Sequence, residues 1–176
     1  MLVPMSNAPT LRLPTVAHGP YDLAQRVPPG GTLVSFYRSL HCGICKTHLK
    51  ELDDRIGDFA IRGVRLIAVS TDTPERSQQL VSEMQIIRLP VGHSLDLKAA
   101  RDDWGLMIST ARDDTDEPAF FSEPALYWVR QDGTIGFSLV LSVPFMRPEA
   151  NQILRAIDAA KKTDAPPRGA YTGPLP

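Results

Sequence analysis

The chain has two cysteines, Cys42 and Cys45, and both lie in the run "YRSLHCGICKTHLKEL" with two residues between them. Three chemistries fit that spacing. A C-x-x-C pair lets one thiolate attack and the other sulfur resolve, cycling between dithiol and disulfide. Cys42, Cys45 and His48, with His41 adjoining, also form a set of soft ligands for zinc or copper, although a structural zinc site ordinarily draws a second ligand pair from elsewhere. Two small buried side chains with no chemistry are the third reading.

Position favours the redox pair. The apolar run Leu33–Tyr37 in "GGTLVSFY" reads as a buried strand after the Pro28–Gly31 turn. A helix begins near Cys42, so the cysteines sit where a strand turns into a helix. The unpaired N–H groups and partial positive charge of a helix start stabilise a thiolate there.

The elements that must hold this turn follow in order. "KTHLKELDDRIGDFA" places Leu49, Leu52, Ile56 and Phe59 at helical spacing, with Gly63 as a stop. "GVRLIAVS" is too continuously apolar for a half-exposed edge strand. "DTPERSQQLVSEM" starts a helix with Thr73 as N-cap and Pro74 at its first position. This strand–helix–strand–helix order makes the two strands parallel neighbours. Further on, a short strand near Arg88–Val91 leads to "SLDLKAARDDWG", a helix capped by Ser94 and closed by Gly105. Residues 106–122, with "ARDDTDE", read as a solvated loop. "ALYWVRQDGTIGFSLVL" is a hairpin turning at Gln131–Gly133, and Pro148 opens a last helix. The order predicts an α/β, thioredoxin-like fold: a central mixed β-sheet flanked by helices, with an N-terminal extension. Residues 1–164 form the redox domain and 165–176 a flexible Pro/Gly-rich tail.

Composition excludes several classes. With 176 residues, 43% hydrophobic and 22% charged, and a formal net charge of −1, the chain suits one globular domain. It offers no basic footprint for nucleic acid or a membrane surface, and no apolar run approaches the ~20 residues of a membrane span. The N-terminus is broken by Pro4, Pro9 and Pro14 and carries no signal-peptide pattern. The expected setting is cytoplasmic, with reduced thiols.

The stretch "FYRSLHCGICKTHLKEL" resembles the signature of the peroxiredoxin-like branch of the alkyl hydroperoxide reductase/thiol-specific antioxidant (AhpC/TSA) family. "VSTDTPER", "SLDLKAARDDWGL" and "EPALYWVRQDGTI" are similar to later segments of that family, so the likeness covers most of residues 10–162. It implies an antioxidant oxidoreductase without an organic cofactor. The implied substrates are peroxides or protein disulfides, the implied reductant is of thioredoxin or glutathione type, and the implied assembly is a monomer or homodimer.

The same resemblance marks departures. Laid on the peroxiredoxin pattern Pro-x-x-x-Thr-x-x-Cys, the peroxidatic position falls on Cys45, with Arg38 at the proline and Cys42 at the threonine. Pro124 stands where the family's thiolate-side arginine would be. Thioredoxins hold a cis-proline facing their C-x-x-C, and Pro124 matches that position too. The Glu123–Pro124 bond is therefore expected to be cis, and disulfide exchange to outpace peroxide reduction. Ser35 replaces the buried aspartate of thioredoxins. Arg38, His41 and His48 are the candidate supporting residues for an exposed Cys42 nucleophile and a resolving Cys45; as ordinary surface groups they would do nothing specific. In peroxide reduction the family mapping exchanges the roles of the two cysteines. His18 and His93 are expected at the surface, and Trp104 and Trp128 in or beside the core. The alternative function is a redox-regulated or metal-binding module without turnover.

Overall fold

The computed structural model describes residues 2–25, 27–163 and 166–175. Among them run β1 (Arg12–Leu13), β2 (Tyr21–Asp22), β3 (Thr32–Phe36), α1 (Gly43–Asp54), α2 (Ile56–Ile61), β4 (Arg65–Val69), α3 (Pro74–Met84), β5 (Val91–Gly92), α4 (Leu97–Asp102), β6 (Ile108–Thr110), β7 (Phe120–Ser122), β8 (Ala125–Val129), β9 (Ile135–Val140) and α5 (Ala150–Lys161). The main sheet has the order β5-β4-β3-β8-β9. β3, β4 and β5 are parallel, while β8 runs antiparallel to both β3 and β9.

β3 lies mid-sheet because every residue of it is buried, and alternation sends its side chains to two different cores. Leu33 joins Leu49, Leu52, Trp128 and Ile157 on one face. Val34 and Phe36 join Ile67, Trp104 and Tyr127 on the other. Phe36, Trp104 and Tyr127 form an aromatic cluster there, with centroids 5.0–6.0 Å apart. The Tyr127 hydroxyl donates to the Trp104 carbonyl at 2.7 Å, so the phenol itself is paired where it is buried.

The N-terminal extension pairs with the turn before β9 and with its first residue. The Met5 N–H donates to the Ile135 carbonyl (2.8 Å), the Ile135 N–H to the Ser6 carbonyl (2.9 Å), and the Ala8 N–H to the Gly133 carbonyl (2.9 Å). These bonds occupy groups that an open edge would present to another chain.

Several expected boundaries differ. The first helix steps at Arg55 (φ −97°, ψ 6°) into α1 and α2. Asp53, at the end of α1, is buried and accepts the N–H groups of Arg88 and Leu89, both at 2.7 Å, while Phe59 on α2 stays in the core. Asp96, not Ser94, caps α4: its carboxylate accepts the Ala99 N–H at 2.9 Å. Ser94 instead takes a left-handed turn (φ 60°). Pro148 lies one residue before the N-cap of α5, which is Glu149 in a reciprocal capping box with Gln152. The short strand expected near Arg88 begins at Val91. Residues 106–122 are not simply a solvated loop: β6 and β7 pair antiparallel, with Ser109 opposite Phe121. The boundary expected between residues 164 and 165 lies outside the described residues. No helix among the described residues is long and apolar enough to cross a membrane.

Candidate active site

β3 delivers the chain to Tyr37, and a short loop then carries Arg38–His41 to the start of α1. Asp72, just beyond the end of β4, holds that loop. Its carboxylate accepts the Ser39 hydroxyl (2.6 Å) and the Leu40 N–H (2.9 Å). Arg76 on α3 donates to Asp72 at 3.2 Å and to the Ser39 hydroxyl at 3.2 Å. A buried carboxylate with this many donors fixes the approach to the helix.

Cys42 is the N-cap of α1. Its sulfur accepts the Cys45 N–H at 3.3 Å, replacing the oxygen that ordinarily caps a helix. No disulfide joins the two cysteines in this structure. Cys42 was expected to be exposed; it is only 5% accessible, and Cys45 is fully enclosed.

The two sulfurs divide their protons unequally. The Cys45 thiol donating to Cys42, then the Cys45 N–H, Arg147 and Arg38, outweigh burial and lower the Cys42 thiol to about 6. Cys45 is pushed up by that same shared hydrogen bond, by burial and by the charge on Cys42. The two shifts run in opposite directions, so along the hydrogen bond they share Cys45 holds its proton to higher pH than Cys42.

Arg147, from the loop before α5, was not among the sequence candidates. Its Nη2 lies 3.1 Å from Cys45 Sγ, and the Arg38 N–H also bears on that sulfur. The absence of an arginine at position 124 therefore does not leave the pair without a guanidinium. Nothing in "PFMRPEA" singles out Arg147, which is 102 residues from Cys45.

The other expected residues gather on two sides. The partly buried Arg38 side chain lies between two carboxylates, with Nη2 3.3 Å from Glu117 and Nε 3.2 Å from Glu123, and 4.8 Å over the Phe121 ring. His41 is no solvated surface group either. Its ring packs 5.0 Å from Phe121, with Nε2 3.4 Å from Glu117 Oε1, and burial, then Arg38, lowers its pKa. Glu117, inside the expected solvated loop, is drawn onto this cluster.

His48 is buried on α1, and burial followed by Arg147 lowers it to about 4. His93 is also buried, with Nδ1 2.9 Å from the Ser94 hydroxyl. Ser35 is enclosed within β3. Trp104 and Trp128 are core residues, as expected. Among the described residues no three of His, Cys, Asp and Glu are grouped so as to hold a metal ion.

The expected cis bond at Pro124 is overturned: the described residues contain no cis peptide bond. Pro124 lies between β7 and β8. Extended pairing continues on both sides of it, with the Glu123 N–H donating to the Met107 carbonyl (2.7 Å) and the Leu141 N–H to the Pro124 carbonyl (3.0 Å). A path this extended is served by trans geometry, which X-Pro bonds already prefer by about 0.5–1 kcal/mol.

Comparison with solved structures returns the same architecture. Peroxidoxin BcpB from Mycobacterium tuberculosis matches with a TM-score of 0.71 at 12% identity, over 90% of this chain and 98% of that one. A reduced 2-Cys peroxiredoxin from Plasmodium vivax matches with a TM-score of 0.72 at 21% identity, over 91% and 97%. A yeast mitochondrial 1-Cys peroxiredoxin gives 0.76 at 15%, over 93% and 78%. At these identities the likeness shows the thioredoxin-like fold. Comparison with curated protein sequences found no match. The profile of the AhpC/TSA family matches residues 4–138. With that match spanning most of the sequence, the chain belongs to the AhpC/TSA family.

Proposed function

We propose that this protein is a thiol-dependent oxidoreductase whose Cys42–Cys45 dithiol closes reversibly to an intramolecular disulfide. The observation that carries this reading is geometric: Cys42 is the N-cap of α1, its sulfur accepting the Cys45 N–H at 3.3 Å, with the Cys45 side chain enclosed in the first turn behind it. In disulfide exchange, the Cys42 thiolate attacks one sulfur of a partner disulfide and the other leaves as a thiolate. Cys45 then gives up its proton and attacks Cys42 in the mixed disulfide. That step releases the second partner thiol and closes the Cys42–Cys45 bond. A dithiol of thioredoxin type, or two glutathione molecules, returns the electrons. The yeast relative is described as resolved by glutathione and thioredoxin systems.

A second reading follows from Arg147. A guanidinium 3.1 Å from Cys45 Sγ favours Cys45 as the sulfur that takes the terminal oxygen of a peroxide. The leaving RO⁻ picks up a proton as the alcohol, or as water when the peroxide is hydrogen peroxide. Cys42 then attacks the Cys45 sulfenic acid and expels its oxygen as water. With Pro124 trans and Arg147 in place, disulfide exchange retains its advantage only through the depressed Cys42.

Serine variants separate the two. Under the first reading Cys42→Ser abolishes disulfide exchange, and Cys45→Ser accumulates mixed disulfides at Cys42. Peroxide oxidising Cys45 to sulfenic acid in Cys42→Ser, faster than wild type reduces a protein disulfide, would establish the second. If mild oxidant leaves both wild-type thiols titratable, or yields only covalent dimers, both readings fail.

A further inference from the structure

The two residues between the cysteines are the open part of the site. Gly43 and Ile44 are exposed where Cys42 and Cys45 are buried, and a β-carbon placed on Gly43 would meet nothing within 4 Å. Two loops reach the dithiol. The loop before α5 meets Cys45: Arg147 gives Nη2 to the sulfur, and Nη1 to the carbonyls of Pro144 (3.1 Å) and Met146 (2.6 Å). One guanidinium thus ties this loop to the dithiol. The loop presents apolar side chains to solvent, Phe145 at 71% and Met146 at 56% exposure, and Ile44 is 44% exposed.

The other loop, between β6 and β7, meets the segment leading into Cys42. Arg76 Nη2 donates to the Ser39 hydroxyl and to the Asp116 carbonyl, each at 3.2 Å. Glu117 lies 3.3 Å from Arg38 and 3.4 Å from His41 Nε2, and its other oxygen accepts the Arg112 N–H at 2.9 Å. The His41 side chain that faces this loop is 7% accessible, and neither of its ring nitrogens has a hydrogen-bond partner. From this anchor the exposed stretch 111–116 presents Asp113, Asp114 and Asp116, whose carboxylates form no ion pair among the described residues. The cations nearby are engaged elsewhere: Arg38 by Glu117 and Glu123, Arg76 by Asp72, and Lys46 by Glu83. The approach to Cys42 is therefore apolar at one loop and negative at the other.

We infer that Cys42 takes its disulfide from a polypeptide whose cysteine is flanked by apolar and basic residues, the apolar side chains resting on Ile44, Phe145 and Met146 and the basic ones facing Asp113, Asp114 and Asp116. This rests on the disulfide-exchange reading and names its substrate class. A small disulfide touches little beyond the sulfur, whereas a chain crossing Gly43 reaches both loops. Like charge works against an anionic disulfide such as that of glutathione. The Cys42 thiolate forms the bond to one partner sulfur, the other partner sulfur leaves with the electron pair, and Cys45 closes the internal disulfide. The partner gains two electrons and the dithiol loses two.

Three 2-thiopyridyl mixed disulfides test this on the reduced full chain: the blocked peptides Lys-Leu-Cys-Leu-Lys and Glu-Leu-Cys-Leu-Glu, and cysteamine, which carries an amine without apolar neighbours. Release of thiopyridone gives each rate, divided by the rate with 2-mercaptoethanol under the same conditions. At low ionic strength the lysine peptide should react at least about fivefold faster than the glutamate peptide and about threefold faster than cysteamine, and molar salt should compress the first ratio. Asp113→Asn, Asp114→Asn and Asp116→Asn combined in one chain should bring that ratio below about two. Neutral iodoacetamide should still alkylate Cys42 of that variant at the wild-type rate at pH 8. Phe145→Ser with Met146→Ser should remove the lead of the lysine peptide over cysteamine. Equal rates for the two peptides in wild type, a ratio unchanged in the asparagine variant, or cysteamine matching the lysine peptide would overturn this inference and leave the dithiol reading intact. Release of no thiopyridone from any of the three would overturn both.

Discussion

Arg147 Nη2 lies 3.1 Å from Cys45 Sγ, joining the loop before the last helix to the first turns of α1. The guanidinium reaches the sulfur that carries the proton, and its charge also favours the thiolate on Cys42. Arg147→Met should therefore move both thiols upward. The midpoint for alkylation of Cys42 by iodoacetamide is expected to rise, and the rate at pH 6–7 to fall several-fold. An unchanged midpoint would show that the helix start alone sets the thiolate.

The wild-type alkylation rate should be half-maximal near pH 6, where Cys42 ionises. Cys45→Ser replaces the thiol that is the largest contributor to this shift and retains the backbone N–H. Its midpoint should move toward the ordinary thiol range without reaching it. A Cys45→Ser profile that overlays wild type would mean that the sulfurs do not share a hydrogen bond.

Stability should follow the same ionisation. Cys42 is an acid with a lowered folded pKa, so its contribution is complete above the unfolded thiol value and is lost as pH falls through about 6. Cys45 is raised, so it opposes folding once pH exceeds the unfolded thiol value. His48, a base lowered to about 4, contributes fully above its unfolded value of 6.5, and that contribution is lost as pH falls toward 4. Urea midpoints of the reduced protein should rise from pH 5 to pH 8 and level or fall beyond pH 9. In Cys42→Ser the rise above pH 7 should shrink. A wild-type midpoint that is flat from pH 6 to pH 8 would contradict these shifts.

Asp72→Ala removes the acceptor for the Ser39 hydroxyl, the Leu40 N–H and Arg76. Leaving these buried donors unpaired should cost about 2–4 kcal/mol in denaturant unfolding. Because the loop ends at Cys42, the alkylation midpoint should rise as well. Loss of stability with an unchanged midpoint would confine Asp72 to a structural role.

Pro124→Ala should cost about 1–3 kcal/mol in denaturant unfolding, because Pro124 is buried and alanine lacks two of its ring methylenes. A change within about 0.5 kcal/mol would show that the ring contributes no packing between β7 and β8.

The sequence alone determined the architecture around the cysteines. Leu33–Tyr37, Leu49 and Leu52, and "GVRLIAV" carry their burial in local spacing, and local hydrogen bonding suffices to place a C-x-x-C pair at a helix start. The hairpin at Gln131–Gly133 was legible for the same reason. Tertiary structure decided what local pattern does not encode. The cap of α4 moved from Ser94 to Asp96 because Ser94 is drawn into a turn, its N–H donating to the Asp72 carbonyl. Residues 106–122 became a hairpin because Phe121 and Glu123 are held by Arg38, His41 and Ser109, partners that no period reveals. Pro124 kept its trans bond because extended pairing continues on both sides of it. The guanidinium at Cys45 comes from Arg147, which only packing of the last helix against the first brings to the sulfur. Electrostatic fields act through space, so the residues that set a thiol's pKa are chosen by the fold and not by their distance along the chain.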